Sequence, residues 1–131
     1  MSSVFSKIIK GELPSYKVAE DSSFYAFLDI NPLKEGHTLV VPKHEVDYFF
    51  DIQDDLLQEY ILFSRRVAFA IQKSVPCLRV GLSVIGLDVA HAHIHLVPIN
   101  SVHDMSFDST KMTISSERMV EIQKAIASNF V

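Results

Sequence analysis

The sequence predicts an α+β fold, in which an antiparallel sheet of about five strands packs with a short N-terminal helix, one long helix and a C-terminal helix. Short runs of β-forming residues between turn residues predict the strands, and apolar residues at helical spacing predict the helices. The chain has 131 residues, 48% of them hydrophobic and 21% charged, which is typical of one globular domain. No repeat or linker divides it, so we expect residues 1–131 to form a single domain.

Three stretches show helical periodicity. The first is a short apolar stretch closed by a glycine, made of Val4, Phe5, Ile8, Ile9 and Gly11. The longest helix has a predicted apolar face of Leu56, Leu57, Tyr60, Ile61, Ser64, Val67, Ala68 and Ile71. Asp54 or Asp55 is expected to cap its start, and Pro76 to end it. The last helix is expected over residues 116–129, with a stripe of Met119, Ile122, Ile126 and Phe130.

Five segments are predicted to be strands. They cover residues 16–19, 24–28, 37–41, 78–85 and 91–99. The first two are expected to form a hairpin around residues 21–23. Residues 100–113 read as a polar loop before the C-terminal helix.

Composition excludes several classes of function. Twelve basic and sixteen acidic residues give a net charge of −4, so we expect no nucleic-acid partner. The single cysteine, Cys77, excludes an internal disulfide and a zinc site built from several thiolates. The apolar runs are too short for a membrane span and the N-terminal stretch lacks a targeting pattern, so we expect no membrane partner and a cytoplasmic location.

Three of the six histidines fall within five residues, in His91-Ala92-His93-Ile94-His95. Side chains alternate along a strand, so these three rings should share one face, about 6.5–7 Å apart. Burying three polar rings is costly unless each finds a partner. The pattern therefore indicates a functional site.

Two chemistries fit this spacing. Alternate histidines can bind one zinc ion, with a further ligand from His37, His44, Asp29 or Cys77. Alternatively, a neutral imidazole can attack phosphorus and form a covalent intermediate, while its neighbours donate hydrogen bonds to the phosphate oxygens. The spacing alone leaves both open.

The His-x-His-x-His motif followed by two apolar residues, here residues 91–97, resembles the signature of the histidine-triad nucleotide-binding proteins. Three further segments resemble blocks of that family in the same order: residues 5–15, 26–32 and 36–43. The resemblance covers about residues 4–99, and residues 100–131 carry no family motif. It implies a HIT-like fold and a homodimer whose sheets join across the two-fold axis.

The resemblance also implies an activity and its residues. Family members hydrolyse nucleoside phosphoramidates, dinucleoside polyphosphates or related nucleotidyl conjugates, without a metal or other cofactor. By position, His93 matches the nucleophile, His91 and His95 match the flanking histidines, and His37 matches an upstream histidine. Asp29 matches the residue that binds the ribose hydroxyls. The base pocket corresponds to Phe5, Ile8, Phe27 and Ile30.

Three positions bear on how far the resemblance extends. Ser3 and Ser6 stand where many relatives have Cys-x-x-Cys, so their structural zinc is not expected here. Asp88 lies in the segment before the triad, where relatives contact phosphate, and is expected to be one of the nucleotide-binding residues. It could repel a second phosphate, orient His91 or a leaving-group amine, or be a turn residue between strands. His95, where related transferases have glutamine, favours a hydrolase.

We therefore expect a hydrolase that cleaves nucleoside 5′-phosphoramidates or related nucleotidyl conjugates through a nucleotidyl-His93 intermediate, with a purine nucleotide or its conjugate as substrate. The alternatives are a dinucleoside polyphosphate hydrolase, a nucleotide-binding regulatory protein with vestigial catalysis, and a zinc hydrolase that uses the triad as ligands.

Overall fold

The computed structural model describes residues 2–131 and shows the expected α+β architecture. In chain order, the elements are α1 (Val4–Ile9), β1 (Lys17–Glu20), β2 (Phe24–Leu28), β3 (Thr38–Pro42), α2 (Asp54–Ser74), β4 (Arg79–Ser83), β5 (Ile94–Ile99) and α3 (Ser116–Asn129). Short 3₁₀ turns lie at Phe49–Asp51 and Val102–Met105. The predicted fold class is confirmed. None of the helices in the described part of the chain is long and apolar enough to cross a bilayer.

The five strands form one sheet in the order β1-β2-β3-β5-β4, with every neighbouring pair antiparallel. Strand β5 is therefore an interior strand, between β3 and the edge strand β4. In its ladder with β3, His95 is opposite Leu39, and in its ladder with β4, His95 is opposite Ser83. Paired residues point to the same side of a sheet, so His95 lies on the face that carries Leu39.

Helices cover the two faces of the sheet unequally. The larger core lies between the sheet and helices α2 and α3, and it contains Ile94 and Leu96 of β5. Helix α1 covers part of the opposite face, where Phe5 packs with Phe27 and Leu39. The alternation along β5 thus places its apolar side chains in the large core and His95 on the α1 face.

The hydroxyl of Tyr60 joins α2 to the central strands. It donates to the carbonyl oxygen of Val40 at 2.5 Å and accepts from the N–H of Ile94 at 3.2 Å. Tyr60 is fully buried and its ring stacks on Phe24, with the centroids 5.2 Å apart. These contacts fix the first residue of β5, directly after His93.

Two details of α2 differ from the prediction. Its N-cap is Gln53, whose side chain makes no capping bond, and Asp54 and Asp55 occupy the first turn. Negative charge is favourable in the first turn because of the helix dipole, which explains why two aspartates mark the start of this helix in the sequence. The buried face also includes Phe63, whereas Ile61 is 42% exposed.

Strand β5 begins at Ile94, so the predicted start at residue 91 is wrong. Residues 91–93 are held by other contacts, because the N–H of Ala92 donates to the carbonyl oxygen of Val46 at 2.7 Å and the His91 ring bonds to Pro42. These contacts anchor the beginning of the triad to the chain that follows β3.

Candidate active site

Four histidines and one carboxylate meet on the α1 face of the sheet. His91, His93 and His95 come from the approach to β5 and from β5 itself, and His37 immediately precedes β3. Each of the four histidines is at most 9% exposed. Every fully buried side-chain nitrogen and oxygen among the described residues has a hydrogen-bond partner, so the cluster meets the condition for burying polar rings.

The hydrogen bonds of His93 define its tautomer. Its Nδ1 lies 2.8 Å from the carbonyl oxygen of His91, which can only accept, so Nδ1 carries the proton. In the neutral ring Nε2 then keeps its lone pair. Nε2 has no hydrogen-bond partner among the described residues. Every fully buried side-chain nitrogen in the described chain does have one, so Nε2 of His93 is not fully buried and can be reached from solvent. The neutral ring of His93 therefore presents the lone pair of Nε2.

His37 and His95 form a directed pair. The N–H of Leu33 donates to Nδ1 of His37 at 3.0 Å, so the proton of His37 is on Nε2, which lies 3.0 Å from Nδ1 of His95. His95 consequently accepts at Nδ1 and carries its own proton on Nε2. Burial, helped by neighbouring positive charge, lowers the pKa of His37 to about 3 and that of His95 to about 4. Both rings are neutral near pH 7.

A network of hydroxyls and one carboxylate holds His91. Its Nε2 donates to the carbonyl oxygen of Pro42 at 2.8 Å, and its Nδ1 accepts from Oγ of Ser3 at 2.7 Å. Oγ of Ser6 and the N–H of Ser3 donate to Oε1 of Glu45 at 2.6 and 2.8 Å. These bonds lower the pKa of Glu45 to about 2, and burial lowers the pKa of His91. A neutral histidine is thus tied to an ionised carboxylate through two serines.

Ser3 is also the N-cap of α1, since its Oγ accepts from the N–H of Ser6 at 3.0 Å. The same hydroxyl therefore begins the helix and contacts the triad. The sequence prediction noted Ser3 and Ser6 only as replacements for cysteines and missed Glu45. The one available signal for Glu45 was a carboxylate three residues after Pro42, at the end of β3.

Asp29 lies at the other end of the cluster. Its Oδ1 accepts from the N–H of Asn31 at 2.8 Å, and its Oδ2 is 3.6 Å from Nε2 of His37. Burial raises the pKa of Asp29. One ligand atom from each of Asp29, His37 and His95 lies within 4.8 Å of the others, so these three are the described residues that could share a metal ion. His44 and Cys77, the other metal ligands considered, are outside this group.

The residues predicted to line the base pocket differ in exposure. Phe5 and Phe27 are buried and meet edge to face, with centroids 5.6 Å apart, and the ring of Phe5 is 5.0 Å from that of His93. Ile8 is partly buried against them. Ile30 is 70% exposed and so is available to a ligand.

Asp88 is not drawn into the cluster. It is exposed on the segment between β4 and β5 and makes no hydrogen bond or ion pair with any described residue. Its predicted contact with nucleotide stays a prediction.

The segment of residues 106–112 packs against the same cluster, which the sequence did not indicate. The ring of Phe107 lies edge to face with the ring of His95, with centroids 4.7 Å apart, and 6.2 Å from that of His37. The N–H of Met112 donates to the carbonyl oxygen of Pro32 at 2.8 Å. The sequence prediction described this part of the chain as a polar loop without a function.

This arrangement has the parts of a nucleophilic site. Nε2 of His93 offers a lone pair, and Nε2 of His95 offers an N–H donor that also has no partner among residues 2–131. The centroids of the two rings are 5.0 Å apart. A carboxylate and an apolar wall adjoin them. Such a site can attack an electrophile and stabilise the negative charge that develops on it.

Comparison with known proteins identifies the family. A family model described as the HIT domain matches residues 10–102. Adenosine 5′-monophosphoramidase HNT1 of Saccharomyces cerevisiae is 38% identical over 96 residues, which make up 72% of this chain and 61% of the yeast protein. The enzyme of the same name from Schizosaccharomyces pombe is 30% identical over 130 residues, 98% of each chain.

Solved structures agree with the sequence relatives. A Hit-like protein from Bartonella henselae superposes with a TM-score of 0.83 at 27% identity, covering 98% of this chain and 96% of that one. Further sequence relatives are uncharacterised HIT-like proteins. The matches to the family model, to the two yeast enzymes and to this structure show that the chain belongs to the histidine triad (HIT) family.

Proposed function

We propose that this protein hydrolyses nucleoside 5′-phosphoramidates, and that His93 is the nucleophile. The observation that carries the proposal is the orientation of His93, whose Nδ1–H is held by the carbonyl oxygen of His91 so that the lone pair of Nε2 is accessible. The names of the two yeast relatives, both adenosine 5′-monophosphoramidases, support this substrate class. Ile30, which is 70% exposed, is available to contact a purine base, and the ring of Phe5 lies 5.0 Å from that of His93.

The reaction would proceed in two steps. Nε2 of His93 attacks the α-phosphorus, an N–P bond forms, and the P–N bond to the leaving amine breaks. The amine keeps the electron pair of that bond and takes a proton from solvent. Water then attacks phosphorus, the bond to His93 breaks, and the nucleoside monophosphate leaves as one proton returns to solvent. The N–H of His95 can donate to the phosphate oxygens throughout.

The remaining residues would bind and orient the substrate. Oδ2 of Asp29 forms no hydrogen bond with any described residue, and its nearest charged neighbour is Nε2 of His37 at 3.6 Å, so this oxygen can accept from a ribose hydroxyl. His37 fixes the tautomer of His95, and the Ser3–Glu45 network fixes His91, whose carbonyl orients His93. The nucleophile is thus surrounded by residues that bind the substrate and residues that position the histidines.

Turnover of adenosine 5′-phosphoramidate by purified variants tests the activity. His93→Ala should lower kcat/KM by about three orders of magnitude or more, because the nucleophile is lost. His103→Ala removes an exposed histidine outside the cluster and should leave the rate unchanged. An enzyme that cleaves only dinucleoside polyphosphates, or a His93→Ala variant with full activity, would contradict the proposal.

We also propose that the protein is a homodimer whose sheets join through β4. This strand is an edge of the sheet, and its Leu82 is 52% exposed. Leu82 pairs with Leu96 of β5, so it lies on the α2 side, where Ile61 and Leu82 line one groove. An unpaired edge beside an apolar surface favours pairing with a second copy.

Size-exclusion chromatography with light scattering on the eluted protein tests whether it is a dimer. The wild type should have about twice the 14.8 kDa mass of one chain, and Leu82→Asp should have the mass of one. A wild-type mass of one chain would refute this assembly.

A further inference from the structure

The segment of residues 106–112, here called the strap, crosses the His95 end of the active site. Phe107 packs its ring edge to face against His95, and the strap is pinned at its far end by the bond from the N–H of Met112 to Pro32. Between them, Nζ of Lys111 donates to the carbonyl oxygens of Phe107 at 2.5 Å and Ser109 at 3.2 Å. The strap therefore holds an ammonium group close to its own aromatic ring.

The position of this ammonium matters because, among residues 2–131, no lysine or arginine side chain forms a hydrogen bond or ion pair with Asp29 or with the four clustered histidines. The cluster contributes imidazole rings and the carboxylate of Asp29, whose Oδ2 lies 3.6 Å from Nε2 of His37. A nucleotide phosphate is an anion, which a neutral or negative cavity does not attract. A cation near these groups would therefore favour the binding of a charged phosphate.

Lys111 brings such a charge to the His95 end of the site, because its Nζ donates to the carbonyl oxygen of Phe107, whose ring packs against His95. Burial is the main cause of the shifted pKa values of Asp29, His37 and His95, and the positive charge of Lys111 lowers the pKa of each of the three. Lys111 forms no ion pair with any described carboxylate. Three other lysines do form such pairs, Lys17 and Lys43 with Glu20 and Lys34 with Asp104.

We infer that Lys111 is the residue that attracts and binds the phosphate of the nucleotide, and that the contact of Phe107 with His95 holds the strap in the position this requires. The inference rests on the proposed function in one respect, namely that the site takes a phosphorylated nucleoside. It assigns to the C-terminal part of the chain a role in substrate binding, within the same subunit.

Equilibrium binding of AMP and of adenosine tests the inference, since the two ligands differ by the phosphate. Lys111→Met should weaken AMP binding about tenfold, as expected for the loss of one partly exposed charge, and should change adenosine binding less than about twofold. Lys111→Arg should keep most of the AMP affinity. Lys124→Met, which removes an exposed lysine of α3, serves as the matched control and should bind both ligands as the wild type does.

Ionic strength provides a second readout that a purely structural role would not change. The difference in AMP affinity between the wild type and Lys111→Met should shrink as sodium chloride is added, because salt screens an exposed charge. AMP affinity that is equal in the wild type and Lys111→Met would overturn the role of Lys111 and leave the proposed function intact. A wild-type protein that binds neither AMP nor adenosine would overturn both.

Discussion

Replacing Ser3 with alanine should destabilise the protein and impair its activity together. The hydroxyl of Ser3 accepts from the N–H of Ser6 as the cap of α1, and it donates to Nδ1 of the fully buried His91. Loss of an N-cap costs about 1 kcal/mol. An unsatisfied buried acceptor adds about 1–3 kcal/mol. The free energy of unfolding should therefore fall by about 2–4 kcal/mol.

Urea denaturation at pH 7 measures this loss, and kcat/KM for adenosine 5′-phosphoramidate measures its effect on the site. Ser3→Thr keeps a hydroxyl and should restore most of the stability. Ser22→Ala removes an exposed hydroxyl in the turn before β2 and serves as the control. If Ser3→Ala lies within about 0.5 kcal/mol of Ser22→Ala, the hydroxyl does not link helix α1 to His91 as the structure indicates.

Two further predictions concern stability. Tyr60→Phe removes the hydroxyl that bridges Val40 and Ile94 and should lower the free energy of unfolding, measured by urea denaturation, by about 1–3 kcal/mol. Tyr48→Phe, at a position 59% exposed, is the control, and equal urea midpoints for the two variants would refute the bridging role of Tyr60. Burial holds the pKa of His37 at about 3 and that of His95 at about 4, whereas both titrate near 6.5 when unfolded. As the pH falls, the unfolded chain therefore binds protons at these two histidines before the folded chain does. The free energy of unfolding should fall between pH 7 and 5.5 by up to about 1.4 kcal/mol per pH unit for each histidine. A urea midpoint that is constant over this pH range would contradict the conclusion that His37 and His95 are buried as neutral rings.

The fold could be predicted largely because its signals are local. The stripe on α3 and the strand at Phe24–Leu28 each follow from periodicity over a few residues, and the structure has both. The start of β5 could not be predicted, because Ala92 bonds to Val46 rather than to a neighbouring strand. Such a contact depends on how distant segments meet.

The same distinction applies to the active site. The triad and His37 carry a pattern in the sequence, and the structure brings them together with Asp29. The residues that hold these histidines in place have no such pattern in the sequence. Ser3 and His91 are 88 residues apart, and Phe107 reaches His95 only because the strap folds back over the sheet.

The proposed hydrolysis depends on covalent nucleotidylation of His93, so trapping the nucleotidyl-His93 species is its decisive test. Wild-type protein is mixed with excess adenosine 5′-phosphoramidate, quenched within one turnover and analysed by intact mass and peptide mapping. We expect an added adenylyl group on the peptide that contains His93, absent in His93→Ala and present in His103→Ala. Turnover of the substrate with no adduct at His93 in rapidly quenched samples, or an adduct on another residue, would contradict it.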